Sequence, residues 1–245
     1  MKGRGKLRLD DLLAERGLVE NSRTAQAMIM AGKVMVGTVV VTKAGTPVDP
    51  DAVVTVKEAS PFVGRGGLKL AGALDEFGVD ALGVTAIDVG ASTGGFTDCL
   101  LKRGAAHVYA IDVGKGILDA SLRNDARVTV LEGRNFRYLD PAEVPVKAGL
   151  AVIDVSFISL EKVLPKVKEF LKEGGRVLAL VKPQFEVARD EVGKGGIVRD
   201  PALHKRAVER ILEFSASIGF TPRSTAESPI TGAKGNREFW VYLVL

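Results

Sequence analysis

The sequence predicts an α/β protein with a mostly parallel sheet and an antiparallel last strand, preceded by a small α+β module, and three observations carry this. From Arg65 onward, apolar strand-like runs alternate with helical stretches, the pattern of a parallel sheet covered on both faces. The run Thr85–Phe96, TAIDVGASTGGF, leads an apolar strand into a carboxylate and then a glycine-rich turn, as nucleotide-type cofactor sites of such sheets do. Residues Met1–Val48 instead read as short helices and a hairpin, and they hold eight Lys/Arg against four Asp/Glu, the whole net charge of +4.

In the first module, Leu9, Leu12 and Leu13 recur at helical spacing before Gly17. Ser22 is expected to cap a second helix with Ala25, Met28 and Ile29 on one face, ended by Gly32. The β-rich runs Val34–Val36 and Val39–Val41 flank Gly37-Thr38, which suits a type II′ turn. Thr46-Pro47 and Asp49-Pro50-Asp51 break the chain before a strand at Val53–Val56, and Glu58–Pro61 is the expected boundary. The organisation predicted is therefore a module over 1–60, a linker over 61–64 and a larger domain over 65–245.

The larger domain should open on a helix carrying Leu70, Leu74 and Phe77. Strands are expected at Thr85–Val89, His107–Ile111, Val128–Leu131, Leu150–Val155 and Arg176–Val181, with helical segments between them. The first of those segments runs from Phe96 to Arg103. Helix Pro201–Ile218 precedes a loop-rich segment and a last strand, Glu238–Val244, whose short connection suits an antiparallel partner.

Composition narrows the function. No stretch reaches the roughly 18 apolar residues of a membrane helix, and no apolar region follows the N-terminal MKGRGK, so a cytoplasmic protein is expected. Cys99 is the only cysteine, which leaves no internal disulfide and no cysteine-built zinc site; no metal is expected. A basic excess confined to one small module suggests a polyanion partner, most simply nucleic acid.

The glycine turn defines a Rossmann-like cofactor site. Gly90, Gly94 and Gly95 let the backbone turn tightly and approach a ligand, with Ala91, Ser92, Thr93 and Phe96 completing the wrap. Asp112, at the end of the next strand, is spaced to hold ribose hydroxyls, and Asn135, after the third strand, is a candidate for the adenine side or an ordinary turn residue. Asp88 stands two residues before Gly90, where a pyrophosphate would be repelled and an ammonium or sulfonium welcomed. By charge, S-adenosylmethionine fits better than NAD; the alternative is that Asp88 caps the turn beside some other nucleotide.

Catalytic groups of open α/β sheets gather at the carboxyl ends of the parallel strands. Asp154 and Lys182 end two apolar strands there, Glu238 begins the antiparallel one at the same rim, and Lys69 lies on the helix leading into the first strand. Each could be a surface residue, but charges at the ends of central strands are expensive unless paired, and this set is electrically neutral.

The order Lys69, Asp154, Lys182, Glu238 resembles the Lys-Asp-Lys-Glu tetrad of the FtsJ-type ribose 2′-O-methyltransferases. Arg8-Leu-Asp10, Leu12-Leu13, Gly17-Leu18, Ser22–Ala25, Ile29, Gly32–Val34 and the hairpin resemble the αL RNA-binding motif of a small-subunit ribosomal protein and many pseudouridine synthases, with Gly37-Thr38 where Asn-Gly is usual. Together with the junction Ser60–Lys69 and the GASTGGF turn, they make the whole chain resemble the TlyA family, also labelled hemolysin A.

The resemblance implies transfer of methyl from S-adenosylmethionine to cytidine riboses of ribosomal RNA or ribosomal subunits. It implies RNA contact through Arg8, Arg23, Lys33 and Arg65, cations that set position more than sequence. It also implies that Lys182 assists the acceptor hydroxyl, Asp154 orients Lys182, Lys69 adds a second positive charge, and Glu238 orients the lysines and the ribose. The hemolysin label has no counterpart here in an export signal or membrane span. Two rival classes stay open: a Rossmann-like enzyme using a nicotinamide cofactor, disfavoured by Asp88, and an inert RNA-binding protein, disfavoured by the intact tetrad.

Overall fold

A computed structural model describes residues 5–56 and 60–245, and the chain forms two compact units, Met1–Ser60 and Pro61–Leu245. Residues 57–59, which include Glu58 and Ala59 of the expected boundary at Glu58–Pro61, lie outside the described residues, as do the first four of the N-terminal basic stretch.

In the first unit, β1 (Leu7–Arg8) pairs antiparallel with β4 (Pro47–Val48). Helices α1 (Leu9–Glu15) and α2 (Ser22–Met30) pack together, and β2 (Val34–Val36) is flanked by β3 (Val39–Val41) and β5 (Val54–Val56). Leu9, Leu13, Ala25, Ile29 and Val34 form its buried centre. The β2–β3 turn holds Gly37 at φ +59°, a left-handed conformation that favours glycine. The helix cap differs from expectation: Asn21, not Ser22, accepts the N–H of Thr24 at 2.9 Å, and Ser22 is the first helical residue.

The second unit is a seven-stranded sheet in the order β11-β12-β10-β9-β6-β7-β8. Its strands are β6 (Thr85–Val89), β7 (His107–Asp112), β8 (Val128–Glu132), β9 (Ala148–Ile153), β10 (Leu171–Val181), β11 (Thr221–Glu227) and β12 (Phe239–Val244). The helices are α3 (Gly66–Glu76), α4 (Gly95–Lys102), α5 (Ala120–Arg123), α6 (Leu164–Val167), α7 (Pro183–Glu186) and α8 (Pro201–Ser217). Neighbours from β8 to β10 are parallel, and β12 lies antiparallel to both β10 and β11.

The segment read as loop-rich therefore contains a strand. Thr221–Glu227 is a polar edge strand with no residue fully buried, held by its ladder to β12 rather than by apolar burial. The fourth strand ends at Ile153, so Asp154 and Val155 stand just past its carboxyl end. Residues 61–64, expected as a linker, are packed on α3 and α4: the Val63 N–H donates to Asp98 of α4 at 2.9 Å, and a Cβ at Gly67 of α3 would strike the Phe62 ring at 2.3 Å.

Strand alternation divides the core. Ile87, Val89, Ile153 and Val181 face one side, with Ala207 and Ile211 of α8. Ala86, Leu150, Val152, Leu178 and Leu180 face the other, with Leu70 of α3 and Leu100 of α4. Asp88 shares the parity of Ala86, and Asp154 and Lys182 continue that of Val152 and Leu180. The chemistry accordingly collects on the α3–α4 side of the carboxyl rim.

Candidate active site

Gly90 leaves β6 at φ +89°, and a Cβ there would sit 2.4 Å from the backbone oxygen of Asp154. Gly94 has φ +96°, and a Cβ would meet Leu122 at 2.2 Å. Ser92 between them adopts φ +51°. The turn is thus a backbone cradle that side chains at these glycines would fill. It opens on a cleft of about 1180 Å³ and a smaller hollow of about 280 Å³, both bordered by Gly90, Ser92 and Asp154.

Asp112 lies on the large cleft, its carboxylate accepting the N–H groups of Ser92 at 2.8 Å and Gly114 at 2.7 Å. Asn135 borders the same cleft and caps the turn that follows it, accepting the Arg137 N–H at 3.2 Å. Ala91, Thr93, Gly95 and Phe96 border the smaller hollow. These positions suit a donor with its nucleoside in the cleft beside the backbone-anchored Asp112 carboxylate and its amino-acid end over the glycines.

Asp88 does not fit the role charge assigned to it. It is 0% exposed, borders neither cavity, and accepts a hydrogen bond from Thr97 Oγ1 at 2.7 Å. Burial pushes its carboxyl up to about 7, with Asp154 and Asp112 adding repulsion and Thr97 opposing. Strand alternation turns Asp88 toward α4, where it fastens the turn from beneath. The capping alternative describes its side chain, which lies beneath the turn and on the wall of neither cavity.

The four rim residues form one run of contacts. Lys182 Nζ lies 2.5 Å from Asp154 Oδ1, and Lys69 Nζ lies 3.9 Å from Asp154 Oδ2 and 2.6 Å from Glu238 Oε2. Lys69, Lys182 and Glu238 are buried, while Asp154 is the more open, its side chain 20% exposed. Opposite charges alternate along the run, which offsets the desolvation of each.

Several side chains at the site carry no signal in the local sequence. Ser156 Oγ accepts from Lys182 Nζ at 2.9 Å, and Thr97 secures Asp88. Phe157, 91% exposed with φ +65°, borders the cleft with its ring 5.2 Å from that of Phe185. A serine three residues past a strand, or a threonine inside a helix, is ordinary in sequence.

The expected RNA contacts separate. Arg8 forks onto Asp10, at 3.0 and 2.7 Å, and lies 3.6 Å from Asp11, so its charge is already matched within the unit. This side-chain hydrogen bond holds the Asp10 carboxyl below its usual range. Arg23 is exposed, and neither it nor Lys33 has an ion pair or side-chain hydrogen bond among the described residues. Arg65 donates to the Thr231 carbonyl at 3.3 Å and borders the smaller hollow, at the edge of the site itself.

Residues 62–245 match the family described as FtsJ-like methyltransferase, and residues 7–54 match the S4 domain. The 16S/23S rRNA (cytidine-2′-O)-methyltransferase TlyA of Mycobacterium tuberculosis is 42% identical over 97% of this chain and 90% of its own. Hemolysin A of Brachyspira hyodysenteriae is 39% identical over 98% of this chain and all of its own length, 100%. A solved structure from Streptococcus thermophilus, described as a hemolysin, superposes with a TM-score of 0.76 at 42% identity, covering 98% of this chain and 88% of that one. No helix among the described residues is long and apolar enough to cross a membrane.

Proposed function

Because this chain belongs to the family of FtsJ-like methyltransferases, we propose that it methylates the ribose 2′-oxygen of cytidine in ribosomal RNA, with S-adenosylmethionine as donor. The observation that carries this reading is the run Lys182–Asp154–Lys69–Glu238 beside the glycine cradle, in which Asp154 borders both cavities, Lys69 borders the smaller, and Lys182 and Glu238 stand directly behind them. The S4 domain, with Arg23 and Lys33 unpaired among the described residues, supports RNA as the polymer to be held. A ribosomal substrate makes the cytoplasm the place of action.

When bound, S-adenosylmethionine supplies an activated methyl group on a sulfonium. Lys182 donates to Ser156 and is ion-paired with Asp154, which borders both cavities, so its ammonium is held beside the place the acceptor oxygen would occupy. It would steady the developing alkoxide of the 2′-hydroxyl, whose proton would pass to the adjoining Asp154 carboxylate or to water, while the methyl group would be taken up from the donor, leaving S-adenosylhomocysteine. Asp154 orients Lys182, and Glu238 holds Lys69 so that the second positive charge stays at the site. Gly90 and the turn bring the donor within reach of this group without a side chain between them. The flanking cavities are bordered by Val89, Ile111 and Phe96, which limit water where charge is annihilated.

The test is mass-spectrometric mapping of ribose methylation in ribosomal RNA with and without the active protein. A 2′-O-methylcytidine that depends on the protein is expected. If no ribose mark changes, and purified protein transfers no methyl to unmodified ribosomal RNA or subunits, the assignment is wrong.

A further inference from the structure

Asn236 is buried, 3% exposed, two residues ahead of Glu238, and it borders neither cavity. Its Oδ1 accepts the N–H of Val198 at 3.1 Å, and its Nδ2 donates to the carbonyl of Gly196 at 2.9 Å. Only the amide orientation with oxygen toward the N–H and nitrogen toward the carbonyl satisfies both partners. The Asn236 carbonyl in turn accepts the N–H of Gly232 at 2.8 Å. Gly232 lies against the Glu238 carboxylate so closely that a Cβ there would come 1.8 Å from Oε1.

The same place is held from the other side. Val198 is buried, and its carbonyl is 2.8 Å from Nε2 of the buried His204 on α8. The His204 ring packs 5.3 Å from that of Phe239, the residue after Glu238. The partners of Asn236 belong to a short turn in which Gly193 donates to the Ile197 carbonyl at 3.1 Å and Gly195 and Gly196 adopt φ of +81° and +78°. Such a glycine turn has little of its own to fix its position.

We propose that Asn236 is a positioning residue that clasps the 193–198 turn to the Glu238 segment and thereby fixes the Glu238 carboxylate on Lys69. The proposal rests on the methyltransferase reading for its activity arm. Asn236 touches neither the acceptor nor the donor side; it acts through Glu238, 2.6 Å from Lys69. An amide is required because one side chain must donate and accept at once. Aspartate of equal size keeps the Val198 bond but sets an oxygen against the Gly196 carbonyl, and leucine keeps neither.

The full-length Asn236→Asp and Asn236→Leu proteins are compared with the parent in single-turnover methylation of unmodified ribosomal subunits, S-adenosylhomocysteine calorimetry and amide hydrogen exchange. The expected result is a graded loss of rate at saturating RNA and donor, reaching about ten-fold or more in Asn236→Leu, because small misplacements at a reacting centre are costly. Affinities for S-adenosylhomocysteine and RNA should stay within about two-fold, and exchange should rise at Val198 and Gly232 while β6 and β9 stay protected. Faster exchange with an undiminished rate would show that the clasp does not position Glu238. Unchanged exchange at Val198 would show that the clasp is not made. If Asn236→Leu fails to bind S-adenosylhomocysteine, the isosteric Asn236→Asp decides by its rate and by exchange at Gly232, since it keeps the Val198 bond and loses only the donor to the Gly196 carbonyl; a parental rate and parental Gly232 exchange there would overturn the proposal. A parent protein that methylates no subunit fails the enzymatic reading alone, and the exchange comparison still tests the clasp.

Discussion

Asp88 carries a proton more readily in the folded protein than outside it, since burial moves its carboxyl from 3.8 to about 7. The folded value lies above the unfolded one, so the resulting stabilisation is full below the unfolded value and is lost as pH rises through the folded value. Asp88→Asn keeps an acceptor for Thr97 and never ionises. It should melt several degrees above the parent at about pH 8.5, with the gap narrowing steadily below about pH 7 and closing only near pH 4; a gap independent of pH would place the missing proton elsewhere. Lys182 is judged by rate. Lys182→Ala should lower methyl transfer by about 10²-fold or more while S-adenosylhomocysteine and RNA affinities change little, because the lost contact belongs to the transition state. Asp154→Ala should act in the same direction, and parental rates in both variants would mean that the tetrad is not catalytic.

At the scale of elements, the sequence is most legible where burial is strongest. Strands β6, β7 and β8 stand where apolar runs put them, and the glycine turn follows β6 as its spacing implies. Even the grouping of Asp154, Lys182 and Glu238 is a matter of counting, since all three continue the alternation of residues that face α3 and α4. What escaped notice has no apolar signature: β11 is a polar edge, β1 and β4 have two residues each, and Asn21 caps α2 one position before the expected serine. Asp88 was misjudged for a related reason, because a carboxylate beside a glycine turn reads alike whether it faces ligand or core. Ser156 and Asn236 act through loops whose partners lie 26 to 40 positions away, and such pairings are set by tertiary closure. The turn itself can be tested at Gly90. Gly90→Ala combines a left-handed φ with a collision against the backbone of Asp154, so neither neighbour can yield cheaply. Melting should show a loss of at least about 1–3 kcal/mol, with calorimetry showing weakened S-adenosylhomocysteine binding. Gly116→Ala is the control: its φ is also positive, at +70°, but a Cβ there meets nothing within 4 Å, so its donor affinity should be nearly that of the parent.

Over the whole molecule, charge and chemistry occupy different units. Residues Met1–Val48 hold the entire excess of positive charge, yet Arg8 spends its share on Asp10, which leaves Arg23 and Lys33 as the cations of that unit proposed to meet phosphate. The glycine cradle and the tetrad lie wholly within Pro61–Leu245, a unit with its own core on both faces of its sheet. Removal of Met1–Ser60 should therefore leave a folded protein that binds S-adenosylhomocysteine but methylates ribosomal subunits at a small fraction of the parental rate. Within the full chain, Arg23→Ala and Lys33→Ala should each weaken RNA binding and reduce the slope of log affinity against log salt by about one unit or less, the signature of a lost phosphate contact. Arg8→Ala should change that slope less, since its guanidinium already serves an aspartate, and its effect should appear as lost stability of the first unit. Full-rate methylation by the truncated protein would move the anchoring of RNA onto the catalytic unit, and a salt slope as steep in Lys33→Ala and Arg23→Ala as in the parent would remove those two cations from the interface.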